Sequence, residues 1–263
     1  MKRAFYTESI AAFLDESTDS IIGKLVQSGS FSVESTQRDA WLAEIEILRR
    51  VLGPYRASGS VYFEYSVPRL GKRIDAIVLI GPVLFVLEFK VGEREFAAHA
   101  IDQVYDYALD LKNFHETSHD LHIAPVLVAT GAESAPLIVR PDTHGDGVLE
   151  PICSATESLP DVLTEALRLI TAPPINREIW EGGRYCPTPT IIEAAAALYG
   201  GHSVDDISRN DAGATNLTQT SAIVAELIQL AKSESKEGDL LCHRRPRRGE
   251  DTRRPRYRDE ALR

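Results

Sequence analysis

The dominant pattern along the chain is a pair of apolar runs, Ile77 to Ile80 and Val83 to Leu87, separated by Gly81-Pro82. Both runs are β-rich and Gly-Pro marks a turn, so Arg73 to Lys90 reads as a hairpin. Val61 to Val67 forms a strand before it and Ile123 to Ala129 another after it. Between these strands the period changes to that of a helix. Trp41, Ile45 and Leu48, with Leu42 and Leu52 widening the face, predict a helix over Thr36 to Leu52 that begins near Ser35 or Thr36. A second helix is predicted over Phe96 to Phe114. A helix near Ser9 to Phe13, a short strand at Leu137 to Arg140 and a helix over Leu159 to Ile170 complete an alternating α/β pattern. From Thr171 to Thr190, prolines and glycines mark a connection. A short helix, Ile191 to Tyr199, a polar loop to Thr215 and a final helix, Thr218 to Lys232, follow it, and no internal repeat is visible.

With the turn centred on Gly81-Pro82, paired positions sum to a constant, which places Asp75 opposite Glu88 with Cβ atoms roughly 5 Å apart. Alternation puts Lys90 on the face of Glu88 and turns Phe89 toward a core. Acids and a lysine among so many aliphatic residues need partners, because burying an unpaired ion costs several kcal/mol in order of magnitude. One solution is Mg²⁺ or Mn²⁺ held by Asp75 and Glu88, with the Phe89 carbonyl and water completing the shell. The other is an Asp/Glu/Lys ion-pair cluster at a strand edge.

Neighbouring elements offer further candidates. Gln103 and Tyr107 are i and i+4 on the second helix and share a face. They either face the acids or, for Tyr107, pack on the sheet with Tyr105 and Leu109. Glu44 and Glu46 lie on the first helix as a further metal ligand or as solvated acids, with Glu44 the choice for the ligand. Glu64, in the strand before the hairpin, is comparable to Glu44. A competing motif is His115-Glu116-Thr117-Ser118-His119, literally HExxH, the signature of zinc metalloproteases. It falls where the helix is predicted to end, whereas zinc binding needs it in mid-helix.

Length and composition then narrow the picture. At 263 residues the chain holds one sizeable α/β core and a smaller appendage. No stretch is long and apolar enough to span a bilayer, and Glu8, Asp15 and Glu16 interrupt the start where a secretory signal would be apolar. Three cysteines, Cys153, Cys186 and Cys242, lack metal-type spacing, and a cytoplasmic location is expected. Net charge is −10, yet residues 243 to 263 carry nine arginines against four acids. An acidic body needs a local basic channel to bind nucleic acid, and Arg69, Lys72, Arg73, Lys90 and Arg94 are its candidates.

Asp75 followed by Glu88-Phe89-Lys90 resembles the PD-(D/E)xK nuclease superfamily, with Ile74 where a proline often precedes the aspartate. The resemblance implies that the acids hold metal and that Lys90 orients or polarises the water attacking a phosphodiester of DNA or RNA. Gln103 and Tyr107 resemble the QxxxY element of the RecB-like branch, which faces the metal and helps hold the substrate strand. It also implies a restriction-endonuclease-like α/β core, a central mixed sheet flanked by helices.

Over most of its length the chain is similar to the N-terminal part of the bacterial Schlafen group 3-like DNA/RNA helicase family, in which such a domain precedes a superfamily 1 ATPase. FSVESTQRDAW (Phe31 to Trp41), YFEYSVPRLGKRIDAIVLIG (Tyr62 to Gly81), FVLEFKVGE (Phe85 to Glu93), DQVYDYALDLKNFHE (Asp102 to Glu116) and PVLVAT (Pro125 to Thr130) carry the similarity. Asn216-Leu217-Thr218-Gln219 resembles the Q-motif that reads adenine, or is a capped helix start. A phosphate-binding loop is expected next, and an arginine-rich run stands there. Back-translated and read one base later, His243 to Thr252 permits TGVPGAGKT, a Walker A loop. A one-base insertion near codon 236 is therefore expected to have truncated a longer helicase; a genuine basic nucleic-acid tail or a nuclear-localisation-like run are the alternatives. The expected organisation is a nuclease-like domain over 1–170, a helical connector over 171–215, the start of an ATPase domain over 216–236 and a disordered basic tail over 237–263. The expected activity is metal-dependent phosphodiester hydrolysis without ATPase or helicase activity. A catalytically silent nucleic-acid-binding module and the zinc protease are the other readings.

Overall fold

Four antiparallel strands, β1 (Tyr6–Ser9), β2 (Ser60–Val67), β3 (Lys72–Ile80) and β4 (Val83–Lys90), run side by side in chain order. Two parallel neighbours, β5 (His122–Ala129) and β6 (Ile152–Ala155), complete a mixed sheet ordered β1-β2-β3-β4-β5-β6. The structure is a computed structural model that describes residues 3–29, 35–68, 70–134, 136–140, 142 and 145–185. Among these, helices flank the sheet on its two faces, giving an α/β fold.

Alternation along the strands supplies two apolar faces, as the period of two requires. Val78, Ile80, Phe85 and Leu87 pack with α1 (Ile10–Asp15), α2 (Thr18–Ser28), α3 (Ser35–Leu52) and α5 (Leu159–Leu169). Ile77, Leu79, Leu84 and Val86 pack with α4 (Ala98–Phe114) and with Trp180 of α6 (Arg177–Gly182). In α3 the buried residues Trp41, Ile45, Leu48 and Leu52 follow the helical stripe predicted for them.

The hairpin has the expected register: Ile80 pairs with Val83 and Ala76 with Leu87 across a two-residue turn. Gly81 takes φ +54, open to glycine without the Cβ penalty other residues meet there. Its carbonyl accepts from the Ile175 N–H at 2.8 Å.

Alternation inverts at one place. Phe63 belongs to the α3 side of the sheet, and two residues on Tyr65 belongs to the α4 side. The same switch separates Ala76 from Ile74 on β3. The pairs Phe63↔Ala76 and Tyr65↔Ile74 bracket Glu64 and Asp75, so the switch crosses both strands together. Glu64 has φ +52 and is the one non-glycine residue with positive φ among the described residues. Left-handed backbone costs an L-residue roughly 1–2 kcal/mol and persists only where the surroundings fix it.

Several elements differ from expectation. Leu137 to Arg140 forms no strand, and Leu137 and Ile138 are exposed. Three elements are not among those expected: β1 and β6, each four residues and too short to show a period, and α2, although its buried Ile21, Ile22 and Leu25 have helical spacing. The stretch after Thr171 includes α6, which buries Trp180 among Tyr62, Tyr65 and His115. Trp180, Ile175 and Tyr185 of this stretch pack against the α4-side core. The helices predicted at Ile191 to Tyr199 and Thr218 to Lys232, the Q-motif-like residues and the arginine-rich tail lie outside the described residues, as does Arg69. No described helix is long and apolar enough to cross a membrane.

If α6 is integral to the fold, Trp180→Ala should lower unfolding free energy by about 3–5 kcal/mol in urea denaturation. An unchanged midpoint would place the segment outside the cooperative unit.

Candidate active site

The end of the hairpin beside the inversion gathers ionisable side chains from four elements. Asp75 of β3 accepts a hydrogen bond from the Phe89 N–H through Oδ2 at 2.8 Å, which ties it to β4 beside Glu88. On β4, Glu88 is buried, and its Oε1 accepts from Lys90 Nζ at 2.8 Å and from Gln103 Nε2 at 2.9 Å. Phe89, between them, enters the opposite core. Gln103 also donates to the Tyr107 hydroxyl at 2.8 Å, and Lys90 Nζ lies 3.4 Å from Gln103 Oε1. The i, i+4 pair of α4 therefore faces the acids.

From the other face, α3 contributes Glu44, only 4% exposed, while Glu46 is solvated. Glu44 Oε2 and Glu88 Oε2 are buried without a bond from any amide, hydroxyl or cationic donor among the described residues, and the carboxyl of Asp75 is the hydrogen-bonding neighbour of Glu88. Glu64 is occupied differently: Trp41 Nε1 donates to its Oε1 at 2.7 Å and Arg73 Nε to its Oε2 at 2.5 Å. Gln37 Nε2 adds a weaker contact at 3.4 Å. Sequence reading saw Trp41 only as core and missed this network, because an indole N–H partner leaves no trace in hydrophobic spacing.

Crowded acids titrate upward. Burial, then the charges of Glu64 and Glu88, push Glu44 up to about 8. Burial and the Glu88 and Glu44 charges raise Asp75 well above the ordinary aspartate range. Glu88 is also raised by burial, against the pull of Lys90. Burial pushes the Tyr107 phenol up to about 12. Such a set holds protons unless a cation takes their place.

Mg²⁺ or Mn²⁺ suits this donor set. The two buried carboxylate oxygens without amide, hydroxyl or cationic donors are hard ligands, and a divalent cation would offset the repulsion that raises these acids. Asp75, Glu88 and Glu44 are the residues that would have to converge to hold it. Among the described residues no three His, Cys, Asp or Glu side chains form a group that could hold a metal ion.

The HExxH segment has no zinc-binding geometry. Helix α4 ends at Phe114 and His115 is extended, with φ −96° and ψ 109°, so the histidines do not stack one turn apart. His115 is buried against Trp180, with Nδ1 2.8 Å from Ser118 Oγ, and burial lowers it to about 4. His119 Nδ1 donates to the Lys112 carbonyl at 2.7 Å. Glu116 pairs with Arg184, which holds its carboxyl down at about 2.

Comparison with protein families, with curated proteins and with solved structures gives no match for the chain.

A carboxyl raised on folding binds its proton more tightly in the native state, so stability without metal is fullest near pH 4.5 and is lost as pH rises toward about 8. Glu44→Gln should flatten that decline and raise the melting temperature at pH 8 in EDTA by about 5 °C. An unchanged or lowered value in differential scanning fluorimetry would contradict the burial of a repelled charge there.

Proposed function

We propose that this chain is a PD-(D/E)xK-type, metal-dependent nuclease that hydrolyses phosphodiester bonds in DNA or RNA. The observation that carries the reading is the cluster just past the last hairpin pair, where Asp75 is tied to β4 by the Phe89 N–H and Lys90 and Gln103 are both bound to Glu88 Oε1. The similarity to the nuclease-like part of Schlafen group 3-like helicases supports the same reading.

In this reading Asp75, Glu88 and Glu44 hold Mg²⁺ or Mn²⁺. The bound cation would supply Lewis acidity toward water and phosphate. Lys90 has an ammonium fixed by Glu88 and Gln103, so it can orient the attacking water and offset charge gathering on the phosphate. Gln103 is in turn held by Tyr107. Buried aliphatic walls on both sides of the sheet keep the local dielectric low and strengthen each of these contacts.

A second reading, a silent nucleic-acid-binding module, is favoured by one feature: among the described residues no three acids or histidines form a group that could hold a metal ion. Cleavage separates the two. Labelled single- and double-stranded DNA and RNA should be cut with Mn²⁺ or Mg²⁺ and spared in EDTA. Asp75→Ala and Lys90→Ala should each reduce the rate at least 100-fold, the order expected for losing a metal ligand or a charge-stabilising group. Retained binding with no cleavage of any substrate would establish the module.

A further inference from the structure

Arg73 is held in an unusual way for an exposed arginine. Its Nε donates to Glu64 Oε2 at 2.5 Å, and its guanidinium lies over the Phe5 ring, 4.8 Å from the centroid. Glu64 is itself fixed by Trp41 and by left-handed backbone, so the clamp is anchored in the α3 core. The Arg73 side chain is nevertheless 44% exposed, and among the described residues nothing bonds its two Nη groups. A guanidinium fixed through Nε and one face keeps its outer edge as a rigid two-pronged donor.

This fork is placed next to the acids. Arg73 is two residues from Asp75 on β3, and Glu64, which holds it, raises both Asp75 and Glu44 by its charge. Lys72, also exposed, precedes it. Resting on the nuclease reading, we infer that Arg73 is a preorganised contact for a backbone phosphate of the nucleic acid, with its Nη pair donating to the phosphate oxygens. Glu64 and Phe5 are the residues that position it. With its rotamer already fixed, Arg73 gives up little freedom on binding, and that freedom is the usual cost of using a long side chain.

Fluorescence anisotropy of the full chain with labelled single-stranded and duplex DNA and RNA tests this, with Ca²⁺ in place of Mg²⁺ as an oxygen-seeking cation. Arg73→Ala should weaken binding about tenfold and reduce the slope of log affinity against log salt by up to about one. Arg73→Lys keeps a cation beside Glu64 and protects the fold, but lacks the fork, so it should recover only part of the affinity. Wild-type affinity and salt slope in both variants would overturn the inference while leaving the nuclease reading intact. Failure of the wild-type chain to bind any of the four nucleic acids would remove both. Binding without cleavage, weakened by Arg73→Ala, would support this contact and count against turnover alone.

Discussion

Everything at the candidate site depends on the register of β3 against β4. Because side chains on a strand alternate, a slip of one residue would move Glu88 and Lys90 to the α3 side of the sheet and Phe89 into the α4 face. The two-residue turn at Gly81-Pro82 prevents this, and the apolar pairs from Ile80↔Val83 to Ala76↔Leu87 reinforce it along the ladder. Register carries both strands in step to Ala76↔Leu87, and the inversion just beyond sets Asp75 against the Phe89 N–H beside Glu88.

Tertiary structure adds the electrostatics. Four carboxylates, Glu44, Glu64, Asp75 and Glu88, arrive from α3, β2, β3 and β4, and their environments separate them into two kinds. Glu64 is saturated by an indole, a guanidinium and an amide. Asp75, Glu44 and Glu88 are raised by burial, and two of their oxygens find no amide, hydroxyl or cationic donor among the described residues. A buried acid without a partner is an energetic liability that folding retains only when something offsets it. A divalent cation is the offset that this oxygen-rich set suits. The inversion of β2 and β3 at Glu64 and Asp75 lets acids from strands and from α3 meet, since regular alternation would keep β2 and β3 side chains on fixed faces.

Much of this was legible in the sequence because it rests on short-range rules. Turn chemistry fixed the hairpin, period two fixed the facing of Glu88, Phe89 and Lys90, and helical spacing put Gln103 and Tyr107 together. Most of what escaped was either too short or too long in range. Elements such as β1 and β6 span only four residues each, too few for a period to emerge. The clamp of Phe5 on Arg73 joins residues far apart along the chain, and the left-handed turn at Glu64 has no glycine to announce it. HExxH lies, as its position past the predicted helix implied, beyond the end of α4 at Phe114, and the segment seats Trp180, whose indole donates to Ser118.

The most direct test of a metal centre on this hairpin is a Mn²⁺ titration of the intact chain followed by electron paramagnetic resonance, with Asp75→Asn as the comparison. Loss of the free-ion signal in proportion to wild-type protein, and little loss with Asp75→Asn, is the result the account predicts. Equal Mn²⁺ uptake by the two proteins, or none by either, would contradict it.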